Sequence, residues 1–297
     1  MKILIIGADG QVGKHIYSSA LKNSNATVAG TYRNPQNNKI PDFLYLDLTK
    51  PETIKKVFES VTPDIVILCS AMTHVDSCEK YKEEAWKINV EGAGLVAEHC
   101  KTLNCRLVYF STEYVFDGTA GPYSENDATK PISEYGRTKL EGENIVLALK
   151  DSLVIRTTVV YSYEKGSKNF LMQVLAKGGL KEKMNIVNDQ YSNPTNAAEL
   201  ADFTLELIKL KKSGIYNVVG KDVMNRYEFV MKICEVFDID KALIAPELTK
   251  NLNQMARRPL KAGLKTDKIF SELGKVPSGA ESSLKTIKSR RKSAEKQ

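Results

Sequence analysis

The chain has 297 residues, 42% of them hydrophobic and 27% charged, which suffices for two domains, or one elaborated domain, around ample core. Five cysteines without metal-like spacing and only three histidines argue against a disulfide scaffold and a histidine-based centre, so no metal is expected. Of the net charge of +7, +4 lies from Glu281 onward, where six basic residues meet two acidic ones. That leaves a body near neutrality, with no nucleic-acid partner expected, and residues 281–297 read as a solubilising, disordered, dispensable terminus. No run is long enough to span a bilayer, and Met1-Lys2-Ile3 leads into a strand rather than a signal peptide, so a cytoplasmic protein with reduced thiols is expected.

Lys2 to Ile6 is an almost wholly apolar run, the pattern of a parallel strand covered on both faces. Gly7-Ala8-Asp9-Gly10-Gln11-Val12-Gly13 follows and opens a helix through Leu21. Glycines spaced this way permit a tight turn, a close approach of backbone to a pyrophosphate and close helix–strand packing, with the helix N-terminus offering free N–H groups. A second strand, Thr27–Thr31, ends in Tyr32-Arg33, where dinucleotide folds place an acid for the adenosine ribose. Arg33 would instead pair with a 2′-phosphate, which favours NADPH and leaves NADH as the second option.

Phe43–Leu48 is expected to form a third strand, with a helix from about Pro51. Asp64–Cys69 forms a fourth, followed by one long helix over about 80–101 that includes Asn89. Arg106–Ser111 is a fifth strand that delivers Thr112 and Glu113 to its carboxyl end, where open α/β sheets bind ligands. After a loop rich in Gly, Asp, Asn and Pro, Ser133 reads as the N-cap of a helix carrying Tyr135 and Lys139 one turn apart on one face. A Lys ammonium beside the phenol is expected to lower its pKa, suiting it to proton exchange with a substrate oxygen. Ser152–Thr157 is a sixth strand. Helical stretches near 168–176, 197–209 and 226–237 follow, with Gly214–Val219 as a strand returning to the sheet. The fold class is α/β: a doubly wound, Rossmann-type parallel sheet with a smaller, interleaved C-terminal substrate domain. Residues 1–160, with about 196–220 returning, form the cofactor half, and 161–280 mainly the substrate half.

Six blocks, in order, are similar to the dTDP-4-dehydrorhamnose reductase family of extended short-chain dehydrogenases/reductases. They are Gly7–Gly13, Thr73–Glu79, Ser111–Gly118 (Ser-Thr-Glu-Tyr-Val-Phe-Asp-Gly), Tyr135–Glu143, Asp189–Thr195 and Arg257-Arg258-Pro259. The resemblance implies a catalytic set of Thr112, Tyr135 and Lys139. It implies cofactor contacts from Gly7, Gly10, Gln11, Val12, Asp47, Leu48, Ser70, Ala71 and Thr73, and again from Tyr135 and Lys139. Val75, Thr112, Glu113, Val159 and Arg258 would meet the substrate. The implied reaction is NAD(P)H-dependent reduction of the C4 ketone of a nucleotide-linked 4-keto-6-deoxy sugar, dTDP-4-dehydrorhamnose to dTDP-L-rhamnose in the first place, with a homodimer as the assembly it allows. Two departures stand out. Glu113 replaces the family's Asp, and Val159 replaces a Trp beside the sugar, so the sugar's identity stays open. An epimerase or dehydratase on the same fold, using Glu113 as an extra acid/base, is one alternative. A non-catalytic NADP-binding regulatory subunit, like that of methionine adenosyltransferase, is the other.

Overall fold

The computed structural model describes residues 1–23, 26–34 and 42–294. Strands β1 (Lys2–Ile6) and β2 (Thr27–Tyr32) flank helix α1 (Gln11–Asn23), and β3 (Leu44–Tyr45) follows. Helix α2 (Pro51–Val61) leads to β4 (Ile65–Leu68). Next come α3 (Val75–Lys80), α4 (Lys82–Trp86) and α5 (Gly92–Leu103), then β5 (Arg106–Thr112), α6 (Glu134–Leu147) and β6 (Leu153–Thr157). A seventh strand of this sheet, Gly214–Asn217, arrives after the intervening elements.

All seven strands pair in parallel, with β3, β2, β1, β4, β5, β6 and the Gly214–Asn217 strand side by side. Chain order reverses between β1 and β4, and a crevice opens at such a point beyond the strands' carboxyl ends. Runs such as Ile3-Leu4-Ile5-Ile6 and Ile65-Val66-Ile67-Leu68 are apolar on both faces because both faces are covered. Ile3, Ile5, Ile67 and Val108 face one core, and Leu4, Ile6, Val66 and Tyr109 the other.

The remaining elements are β7 (Val160–Tyr161), α7 (Phe170–Gly179), β8 (Met184–Val187), β9 (Tyr191–Ser192), β10 (Thr195–Asn196) and α8 (Ala197–Lys209). The returning strand is β11, followed by β12 (Met224–Asn225), α9 (Arg226–Phe237), β13 (Ile244–Glu247), α10 (Asp267–Leu273) and α11 (Ala280–Ala294). Tyr161, Leu171, Met184, Phe229, Ile233 and Leu284 gather in a separate core. Asn225 accepts from the Glu228 N–H while the Glu228 carboxylate accepts from the Asn225 N–H, a reciprocal cap that fixes the start of α9.

Three expectations are corrected. Only Leu44 and Tyr45 of the third strand form ladder pairs with β2, because β2 itself ends at Tyr32, whose carbonyl accepts the last bond from the Leu46 N–H (2.9 Å). The helix expected over about 80–101 runs continuously from Lys82 to Leu103 but is not uniformly α, because Lys87–Glu91 form a π turn between α4 and α5. The wider turn directs the amide of buried Asn89 to both backbone groups of Met72 (2.8 and 3.0 Å) and to the Thr138 hydroxyl (3.1 Å). The C-terminal segment, expected to be disordered, is helical from Ala280 to Ala294. Ala280, Leu284 and Ile287 recur at i, i+4 and i+7, are buried, and pack against the core that contains α9. The Ser283 hydroxyl also donates to Glu199 (2.8 Å). Among the described residues, no helix is long and apolar enough to cross a membrane.

Ending the chain after Gly279 should therefore destabilise it. Deleting Leu284 and Ile287 forfeits their burial, roughly 1.5–3 kcal/mol for each side chain, and uncovers the apolar core beneath them. Denaturant unfolding of the truncated protein should show a lowered midpoint. An unchanged midpoint would mean that α11 adds nothing to the fold.

Candidate active site

A cavity of about 600 Å³ runs along the carboxyl ends of β1, β4, β5 and β6. At one end lies the glycine loop. Gly7 has a φ of +83°, and a Cβ there would stand 2.4 Å from the Ser70 hydroxyl oxygen. A Cβ on Gly13 would meet the Gly7 carbonyl at 2.1 Å, so only glycine lets α1 start against this strand. Gly7, Gly10, Gln11, Val12, Arg33, Asp47, Leu48, Ser70, Ala71 and Thr73 all line the cavity. The Gln11 amide itself reaches away to the Ser162 hydroxyl (3.0 Å) and the Val160 carbonyl (3.3 Å), tying α1 to β7. The Asp47 carboxylate is held by the Thr49 N–H (3.0 Å) and hydroxyl (2.8 Å). Exposed Arg33 is not far from an acid after all: the Asp9 carboxyl accepts from the Arg33 backbone N–H, and burial raises its pKa.

At the other end stand Thr112, Tyr135 and Lys139. Strand β5 delivers Thr112, whose hydroxyl hydrogen-bonds the Tyr135 phenol and accepts from the Tyr114 N–H (3.2 Å). Helix α6 delivers the other two. Ser133 caps it by accepting from the Gly136 N–H (3.3 Å). Gly136 lets it lie flush, since a Cβ there would fall 2.1 Å from the Tyr114 carbonyl oxygen. Buried Lys139 places its Nζ 3.9 Å from the Tyr109 ring centroid.

The expected lowering of the phenol pKa is not met. Burial is the largest influence on Tyr135 and raises it, with the Thr112 hydrogen bond acting in the opposite direction. Burial also brings Lys139 down to about 7, against the pull of Glu143. A phenol with a raised pKa arrives protonated, which is the form a proton donor needs.

Val75, Glu113 and Val159 line the same cavity, whereas Arg258 stands outside its lining. The Arg258 guanidinium is engaged by Asp76 of α3 (2.9 Å), and Asp76 also accepts from the Ala256 N–H (3.0 Å), so the pair fixes residues 256–258 against α3. Val159 adopts a φ of +42°, the left-handed region, where a β-branched residue is strained by about 1–3 kcal/mol.

Sequence reasoning missed several lining residues. Ser111, Thr157, Thr158 and Arg226 all face the cavity. The hydroxyls of Ser111 and Thr157 and Oε2 of Glu113 are buried there without a hydrogen-bond partner. Buried polar atoms are normally satisfied, so three orphans along one wall suit a polar ligand. Position at the carboxyl ends of β5 and β6 was the available signal for the first three. Arg226 lies far along the chain with no local motif to mark it. A glycine cradle at a helix N-terminus, joined to this polar wall, fits a dinucleotide. Among the described residues, no group of three His, Cys, Asp or Glu is placed to hold a metal ion.

The profile of the RmlD substrate binding domain family matches residues 1–292. The chain belongs to this family, that of the dTDP-4-dehydrorhamnose reductases. A dTDP-4-dehydrorhamnose reductase from Clostridium acetobutylicum shares its structure with a TM-score of 0.87 at 33% identity, over 98% of this chain and 100% of that one. The Bacillus anthracis family member, solved in complex with NADP, gives 0.86 at 27% identity, over 96% and 98%. Methionine adenosyltransferase 2 subunit beta from Xenopus tropicalis is also a relative, 30% identical over 82% of this chain and 75% of its own length.

Burial raises the Glu113 carboxyl from 4.5 to about 8, opposed by its hydrogen bond with Thr158 and by the Arg226 charge. Between those two values the folded protein holds a proton that the unfolded chain has released, so stability falls as pH rises through this window. Glu113→Gln cannot ionise. Its melting temperature should exceed the parent's by a margin that widens from pH 5 to pH 8, roughly 2–4 °C for each kcal/mol of penalty removed. Parallel melting curves across that range would show that Glu113 ionises freely.

Proposed function

We propose that the protein reduces the C4 ketone of a nucleotide-linked 4-keto-6-deoxy sugar, with dTDP-4-dehydrorhamnose to dTDP-L-rhamnose as the leading case. The reading rests on one observation: the hydrogen-bonded Thr112–Tyr135 pair shares a continuous cavity with Lys139 and the glycine loop. Family membership supports it.

A bound nicotinamide dinucleotide would supply the hydride. The loop around Gly7, Gly10 and Val12, with the N-terminus of α1, would hold its pyrophosphate, and Asp47, Leu48, Ser70, Ala71 and Thr73 would line its flanks. Tyr135 holds a proton on its phenol oxygen and delivers it to the carbonyl oxygen as negative charge builds there. Thr112, fixed by the Tyr114 N–H, bonds the phenol before substrate binds and turns its one proton to the same ketone oxygen once the substrate is there. Lys139 stabilises the phenolate left behind and would reach the ribose. Residues 161–280 would contribute mainly to the sugar-nucleotide side. Kinship with the methionine adenosyltransferase subunit favours a second reading, a cofactor-binding regulator without turnover.

Tyr135→Phe removes one hydroxyl and should lower turnover about 10²–10⁴-fold, with cofactor affinity retained. The assay is NADPH oxidation with dTDP-4-dehydrorhamnose at matched cofactor saturation. A parent protein that binds NADPH yet reduces no 4-keto nucleotide sugar would support the regulator instead.

A preference for NADPH over NADH is also proposed, from Arg33 at the end of β2 and at the cavity lip. Arg33→Ala should weaken NADPH binding by about 1.5–3 kcal/mol and leave NADH nearly unchanged. Calorimetric titration with each cofactor checks this, and equal parent affinities would refute it.

A further inference from the structure

Glu113 and Arg226 both line the cavity, one from the end of β5 and the other from the first turn of α9. Glu113 is only 3% exposed, and its Oε2 has no hydrogen-bond partner, while its carboxyl also bonds with Thr158. The Arg226 guanidinium lies 5.2 Å from the Phe170 ring centroid, and its charge acts on both Glu113 and Tyr114. Among the described residues it forms no ion pair, and its side chain makes no hydrogen bond to protein. The two groups thus share the cavity without closing on each other.

The geometry points to these two side chains as the reader of the sugar hydroxyl next to the reacting carbonyl. A hydroxyl carries one donor and two acceptor positions, so it can accept from an arginine on one side and pair with a carboxyl oxygen on the other. A methylene in that place would leave the buried Glu113 oxygen and the half-buried Arg226 donors without a partner. On the reductase reading, which this inference rests on, the relevant hydroxyl is at C3. In a 4-keto-6-deoxyhexose, C5 carries the ring oxygen and the methyl group and offers no hydroxyl. Thr112 precedes Glu113 directly, so a hydroxyl held by Glu113 fixes the ketone beside Thr112 and Tyr135. The polar pair would serve orientation as well as selection.

The test compares kcat/KM for a nucleoside-diphosphate 4-keto-6-deoxyhexose with its 3-deoxy counterpart. The parent should favour the hydroxylated sugar by about 10²-fold or more, as sites built around a substrate hydroxyl do. Glu113→Leu and Arg226→Leu should each cut that ratio at least about tenfold, mostly through the hydroxylated substrate. Glu113→Gln and Arg226→Lys, which keep the donors and acceptors, should restore most of it. A ratio unchanged in both leucine variants, or an equal loss for both sugars, overturns the assignment while the reductase reading stands. A parent that reduces neither sugar overturns both.

Discussion

The buried pair between Arg156 and Glu143 holds the reacting helix to the sheet. Arg156 on β6 donates from Nε (3.0 Å) and from Nη2 (2.7 Å) to the two carboxylate oxygens of Glu143 on α6, and both residues are essentially inaccessible. Its third donor reaches the Glu125 carbonyl (3.2 Å), and the Glu125 carboxylate accepts from the Asn217 N–H (2.9 Å) on β11. Phe116 lies beneath the guanidinium, 5.1 Å from it. Removing one partner of such a pair typically costs about 3–5 kcal/mol because the other charge is left buried. Glu143 lies one turn beyond Lys139 and two beyond Tyr135, so the same pair that joins α6 to β6 also sets where the phenol and the ammonium stand.

That arrangement explains how burial can serve chemistry. Desolvation alone moves Tyr135 and Glu113 toward their protonated forms and Lys139 toward its neutral one. Burial thus favours the uncharged form of all three groups, whichever sign of charge each would otherwise carry. The Arg156–Glu143 pair contributes here too, since the nearby Glu143 carboxylate is the largest influence favouring the Lys139 ammonium. A structural ion pair and the reactivity of the site are therefore one electrostatic system.

Elements marked by unbroken apolar runs or helical periodicity were legible in the sequence. Helices α8 and α9 begin and end at the residues where the pattern placed them, Ala197–Lys209 and Arg226–Phe237. The glycine loop was legible because its spacing is dictated by backbone contact alone. What escaped was set by tertiary demand. The π turn exists to aim Asn89 at Met72 and Thr138, and no local propensity announces it. The apolar stripe of α11 was hidden within a strongly basic segment. Arg226 becomes part of the site only when the chain returns more than a hundred residues after Glu113. The phenol's acidity was misread because sequence spacing reveals a neighbouring charge but not how deeply both groups are buried.

Val159 sets one further condition. Its strained backbone is held in place by the hydrogen bond from the Thr195 N–H to the Val159 carbonyl (3.2 Å), immediately before α8. This part of the cavity wall is thus under tension that a single glycine would release. A cavity wall kept taut in this way is an evolutionary constraint, one that links the shape of the cavity to how much stability the fold can surrender.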